Sequence, residues 1–256
     1  MIRLPELEQY TVTFGALAFE PLTITAVMAK NARVVNYDPI HLDSVLSRAV
    51  VDMAFGHNRG LPNSNEGYWL PVPLKAAWFS ESGLPLWCSS VFLPDAETVE
   101  DVTYRHKRTL DGWWSSGRQN RPSQGRWKDR RIPVPNAVCD RWQARVIGNV
   151  KWLERLLRGI EFLGKNRSIG FGEVDHFEIE SADWTERDIF LADNILIRNT
   201  PSAACESTGV PWLQNPTLVA WTPPYWKRSL CVMGWRAGAV VDPLLQIDYF
   251  ENAPTG

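Results

Sequence analysis

Cysteine and histidine are scarce in this 256-residue chain, with four of each. Cys88, Cys139, Cys205 and Cys231 form no Cys-x-x-Cys pair, and His41, His57, His106 and His176 supply no ligand spacing beside them. This argues against zinc clusters and dithiol redox motifs. A disulfide framework is not expected in a chain this long without a secretory leader, so the cysteines read as small buried hydrophobes. Long apolar runs are missing as well. No stretch approaches the roughly 20 residues of a membrane helix, and the first ten residues mix Arg3, Glu6 and Glu8 with apolar neighbours, unlike a signal peptide. A cytoplasmic protein with no membrane contact is expected. There is no Gly-x-Ser-x-Gly elbow and no paired carboxylates at metal-binding spacing. No catalytic residue, metal or cofactor is therefore assigned.

What is present is a 45% hydrophobic, 22% charged composition, that of a globular protein able to bury one core plus a smaller lobe. The net charge of −2 hides an asymmetry. Residues 104–131 hold nine cations, Arg105, Lys107, Arg108, Arg118, Arg121, Arg126, Lys128, Arg130 and Arg131, against only Asp111 and Asp129. The rest of the chain is acidic, with 18 Lys/Arg and 27 Asp/Glu. One concentrated basic segment on an acidic body points to a polyanionic partner engaged locally. Tyr104, Trp113, Trp114 and Trp127 lie among those cations. Cations that hold phosphates beside rings that stack on bases suit single-stranded nucleic acid. The alternative is a solvated basic loop whose tryptophans pack on the body. Thirteen tryptophans overall fit both core residues and interface anchors.

Alternation predicts a first strand over 10–18 and a second over 22–28, with 33–37 extending or pairing with it. Asp38-Pro39 reads as N-cap and first position of a helix whose apolar face runs from Ile40 to Met53 and which ends before Gly56. Strands are expected over 69–79, where Pro71 and Pro73 require an edge or extended backbone, and over 84–93. The basic segment reads as a long projecting hairpin or loop, with 132–138 returning to the sheet. Residues 146–163 carry the second helical pattern, capped by Gly164. Phe177 and Ile179 alternate while Val174 is out of phase, which a bulge near Asp175-His176 would reconcile. Short strands and turns follow from Trp184. This order, β-α-β-β-α-β, is the ferredoxin-like (RRM-like) arrangement. The expected fold is thus an α+β ferredoxin-like core over 1–183, with the basic insertion at about 104–131 and a β-rich C-terminal extension over 184–256.

Residues 164–172 read Gly-Lys-Asn-Arg-Ser-Ile-Gly-Phe-Gly. Gly164, Gly170 and Gly172 permit backbone conformations closed to other residues, while Lys165 and Arg167 supply cations. In a P-loop or Rossmann turn the glycines precede a helix; here the helical pattern comes first, with the wrong dipole sign for an anion. Binding would depend on loop N–H groups and the two cations. A plain helix C-cap and turn is the competing reading. His41, beside Asp43 at the predicted helix start, could serve as a general base on a ribose hydroxyl, or be an ordinary polar residue there.

The stretch 162–174, the first-helix stretch 38–46 and Pro71-Val72-Pro73-Leu74 resemble the RAMP superfamily of CRISPR proteins, most nearly the subunit that caps the guide RNA 5′ handle in type IV effector complexes. Residues 197–201 and Pro223-Pro224-Tyr225-Trp226 agree with that likeness. The resemblance implies a thumb-like β-hairpin, namely the basic segment, and a place beside a backbone subunit and a large subunit. It also implies that guide RNA is held by Gly164, Lys165, Asn166, Arg167, Ser168, Gly170 and Gly172. The thumb's Arg105, Lys107, Arg108, Trp113, Trp114, Arg118, Arg121, Arg126, Trp127, Lys128, Arg130 and Arg131 would contact RNA, with target-flanking DNA as a further expected contact. The alternatives are a metal-independent RNA-processing endoribonuclease using His41 and a structural protein-interaction module.

Overall fold

The computed structural model describes residues 2–35, 38–56, 61, 68–107, 130–225 and 227–241; for Arg105, His106, Lys107, Arg130 and Ile169 it describes the backbone alone. In chain order the elements are α1 (Pro5–Gly15), β1 (Glu20–Met28), α2 (Leu42–Phe55), β2 (Ala76–Phe79), β3 (Pro85–Trp87) and β4 (Leu93–Pro94). Then come β5 (Val99–Lys107), β6 (Arg130–Val138), β7 (Arg141–Gly148), α3 (Val150–Leu157) and β8 (Val174–Ser181). The C-terminal part holds α4 (Glu186–Phe190), β9 (Leu191–Ala192), β10 (Ile195–Leu196), β11 (Thr200–Pro201), α5 (Cys205–Thr208), β12 (Thr217–Ala220) and β13 (Cys231–Trp235). The molecule is mixed α and β, and its named strands pair antiparallel throughout.

The central sheet has strand order β4-β7-β1-β8. Leu22, Ile24 and Ala26 of β1 and Trp142, Ala144 and Val146 of β7 share the buried face, because each set alternates at the period of two that a pleated strand imposes. Helices α2 and α3 cover that face with Leu42, Leu46, Val50, Leu153, Leu156 and Leu157. A second apolar cluster unites Leu84, Leu86, Cys88 and Ile147 with Ile189, Phe190, Leu196, Trp221 and Trp235 from the C-terminal part. Trp142 is typical of how completely such rings are enclosed, and fully burying one large side chain is worth about 1.5–3 kcal/mol.

Several expectations hold, among them β1 and the end of α2 at Gly56. The bulge holds too: Val27 pairs with His176 but Met28 with Val174, so Asp175 is the extra residue. Others are corrected. Residues 10–15 are helical, not a strand. Leu7 and Phe14 lie one heptad apart on the buried side of α1, and that burial overrides the β-branched alternation. Thr11 and Thr13 return their hydroxyls to the carbonyls of Leu7 and Gln9. Helix α2 begins at Leu42 rather than at Pro39, because Ile40 O accepts from Phe92 N–H and His41 bridges Val91, which holds that stretch extended.

The pattern over 146–163 is not one helix. Val146 and Ile147 belong to β7, paired with Leu22 and Pro21, and Asn149 caps α3 by accepting from the Trp152 N–H. Expected strands at 69–79 and 84–93 shrink to β2, β3 and β4. The return strand β6 pairs with β5 in a separate two-stranded ribbon rather than joining the central sheet. Among the cysteines, all free, Cys88 and Cys139 are buried but Cys205 and Cys231 only partly so.

Candidate nucleic-acid interface

Helix α3 ends at Leu157, well before Gly164, so that glycine is no helix cap. The Gly loop is instead closed as a tight loop between two short arms. Phe162 bridges Glu173, Leu163 N–H donates to Gly172 O at 2.7 Å, and Val174 N–H donates to Glu161 O at 2.9 Å. Asn166 and Gly170 adopt left-handed backbone on either side of a single 3-10 turn over Arg167–Ile169. Of the N–H groups foreseen as an anion nest, those of Gly170 and Gly172 are spent on Arg167 O and Arg33 O. Lys165 is tied to Asp38 in an ion pair. Arg167 and Ser168 are exposed, and Arg167 makes no ion pair among the described residues.

One short segment joins this loop to the ribbon. The Arg33 carbonyl accepts from Gly172, while its guanidinium pairs with Asp101 at 3.1 Å and donates to Thr103 at 2.9 Å, both on β5. Val34 pairs with Ala137 of β6 through two backbone hydrogen bonds of 2.9 Å. A Cβ at Gly164 would lie 3.1 Å from the Val35 carbonyl, so the loop packs directly on this segment. Residues 33–35 thus place the Gly loop at the root of the β5–β6 ribbon. Nothing in the sequence around Arg33 announces this, because both contacts are long-range.

Along the ribbon, Arg105 is in register with Ile132, His106 with Arg131 and Lys107 with Arg130. From Asp101 to these positions is about 14–20 Å of extended chain. Tyr104 is exposed, and the Arg131 guanidinium lies over its ring at 3.8 Å from the centroid. Arg108, Trp113, Trp114, Arg118, Arg121, Arg126, Trp127 and Lys128 lie outside the described residues. The face of the central sheet away from the helices, partly covered at Thr25 and Ile147, is unsuited to phosphates. Glu178 and Glu180 of β8 share it with Thr23 and Thr25, and Arg141 there is already paired with Glu178. The opposite margin of that face is covered by Trp184, whose indole donates to Thr23 and whose ring lies under Arg145.

His41 is 4% exposed and stacked on Tyr225, with centroids 3.9 Å apart and planes 10° from parallel. Burial, with Arg198 nearby, holds its imidazole well below the ordinary value. Below about pH 6.5 the unfolded chain binds a proton that the folded His41 refuses, so stability falls as pH drops, at up to about 1.4 kcal/mol per pH unit. Exposed His176, raised by Asp175, acts with the opposite sign. The comparison that isolates His41 is therefore wild type against His41→Phe in urea titrations at pH 7 and pH 5. The variant is expected to lose less stability on acidification; equal losses would argue against a buried neutral histidine.

Beside His41 lies a buried polar cluster. Arg198 donates from Nη2 to Asp43 at 2.7 Å and from Nη1 to the Ser89 carbonyl at 2.7 Å. Tyr225 donates its hydroxyl to Asp43 at 3.0 Å and accepts from Arg198 at 3.0 Å. Asp43, Arg198 and Tyr225 come from three separate motifs, at 38–46, 197–201 and 223–226, which the fold draws into one contact.

The fold and these surfaces define a mixed α/β protein with antiparallel sheets and a cation-bearing ribbon rooted beside a Gly loop. The sequence pattern of the family described as CRISPR type IV associated protein Csf3 matches residues 95–235, and the chain belongs to that family. No curated protein matches it. Among solved structures, it is similar to a chain of the "Cryo-EM structure of the Type III-B Cmr-beta bound to cognate target RNA". That likeness has 9% identity and a TM-score of 0.32, and it covers 69% of this chain and 66%, just under two thirds, of the other.

Proposed function

We propose that this protein is a non-catalytic guide-RNA-binding subunit of a type IV CRISPR effector ribonucleoprotein, seated on the 5′ handle beside backbone and large subunits. On this reading the four-stranded sheet with α2 and α3 is a ferredoxin-like core, and the β5–β6 ribbon is the root of the thumb. The observation that carries the proposal is the Arg33–Val35 junction, which puts the Gly loop and the base of the basic ribbon side by side. RNA backbone would run from Arg167 and Ser168 onto the ribbon, towards Arg105, Lys107, Arg130 and Arg131. Target-flanking DNA would be met by the same insertion.

Replacing a phosphate-contacting cation lowers the dependence of log K on log salt by about 0.7 per contact for single strands. Arg167→Ala is expected to show this loss in fluorescence anisotropy with a repeat-derived RNA. Lys165→Ala should show less, because Asp38 already offsets its charge. Affinity and salt slope both unchanged in Arg167→Ala would remove the Gly loop from the interface. The enclosure and low basicity of His41 support a role without RNA cleavage. Incubation of the protein with a repeat hairpin in EDTA should leave the RNA intact; cleavage lost in His41→Ala would reverse this reading.

A further inference from the structure

A cleft of about 530 Å³ opens between α2 and α3 on the helical side of the molecule and reaches Arg167 of the Gly loop. Its floor includes Ala49, Met53 and the ring of Phe162, and its rim carries Arg48, Arg155 and Arg167. Asp52 pairs with Arg48 at 2.7 Å, so that cation is neutralised. Arg155 and Arg167 are exposed and make no ion pair among the described residues, against a single further carboxylate, Glu161. The Arg155 guanidinium rests over the Trp152 ring at 4.7 Å.

The volume lies in the range of small-molecule sites. An apolar floor with one aromatic ring takes a flat heterocycle, and two unpaired guanidinium groups take a phosphate in bidentate fashion. We propose that this cleft binds one nucleoside monophosphate unit, its base on Met53 and Phe162 and its phosphate between Arg155 and Arg167. Arg167 also belongs to the Gly loop, so the unit would be a splayed-out nucleotide of the bound RNA or a free mononucleotide. The first source rests on the guide-RNA reading above; the second does not.

The test uses the full chain with AMP, inorganic phosphate and repeat-derived RNA as separate probes. AMP should bind in calorimetry, and at least tenfold better than inorganic phosphate. Ala49→Trp fills the floor and should weaken AMP binding at least tenfold; Arg155→Glu, at an exposed position, should do the same. If both variants also weaken RNA binding threefold or more, the occupant is an RNA nucleotide. If RNA binding is unaltered while AMP binding is lost, it is a free nucleotide. AMP binding absent in the wild type, or equal in the wild type and both variants, overturns the cleft. RNA binding absent in the wild type with AMP binding intact overturns the guide-RNA reading and leaves the cleft standing.

Discussion

Arg198→Ala is expected to lower the stability of the fold by about 3–5 kcal/mol, because it leaves Asp43 charged, buried and without its partner. Both side chains are fully enclosed, so the charge left on Asp43 would lie inside the protein rather than at a solvated surface. A typical domain has a net stability of only about 5–15 kcal/mol, so the urea midpoint should fall steeply at an unchanged slope. The loss extends beyond the ion pair. Arg198 also donates to Ser89 and to the Trp221 carbonyl, so it ties the C-terminal part to α2 and to the chain just before β4. Tyr225→Phe removes one hydroxyl that donates to Asp43, and the expected loss is nearer 1–2 kcal/mol. The double replacement Asp43→Leu with Arg198→Met should recover much of the loss, since two apolar groups leave no orphaned charge. A midpoint unmoved by Arg198→Ala would show that the cluster is incidental to the fold.

The same cluster shows what a single sequence can and cannot disclose. Elements governed by local periodicity were legible. The spacing of Leu42, Leu46, Val50 and Met53 marks α2, and the phase slip at Val174 locates the bulge at Asp175. Where two periodicities compete, the reading failed. Thr11, Val12 and Thr13 alternate like a strand, yet Leu7 and Phe14 bury one side of a helix. Over 146–163 apolar residues fall at helical spacing across a strand, a cap and a helix, and only Asn149 signals the break. Long-range partners leave no local trace. Asp43 and Arg198 are 155 positions apart, and the root formed by Arg33, Asp101 and Ala137 joins three segments that nothing in their own composition links. The candidate interface was legible as residue types, loop glycines and clustered cations, but its geometry was not. His41 illustrates the difference: a histidine beside an aspartate suggested a base, and only its stacking under Tyr225 gave it a packing role.

Gly172→Ala should be the most damaging single change in the Gly loop, and Gly170→Ala a mild one, although both glycines have positive φ, 74° and 85°. At Gly170 an added Cβ meets nothing within 4 Å, so the cost is that of a non-glycine residue in left-handed backbone, about 1 kcal/mol. At Gly172 the same atom would sit 1.8 Å from the Leu163 carbonyl oxygen. That contact is backbone on both sides, and no rotamer relieves it. Accommodating it means parting Leu163 from Gly172, which breaks the 2.7 Å hydrogen bond that closes the loop and pulls Gly172 N–H from Arg33 O. Strain and lost closure together should destabilise by about 2–4 kcal/mol. Because Arg33 also grips β5, the disturbance reaches the root of the ribbon. Amide hydrogen exchange should therefore show lost protection at Gly172 and Val174 and, in the same variant, at Ala137, whose N–H donates to Val34. RNA affinity should fall with it, whereas Gly170→Ala should bind nearly as the wild type does. If Gly172→Ala kept its protection at Ala137 while losing it at Gly172, loop and ribbon would be independent, and the shared root would lose its place as the centre of the interface.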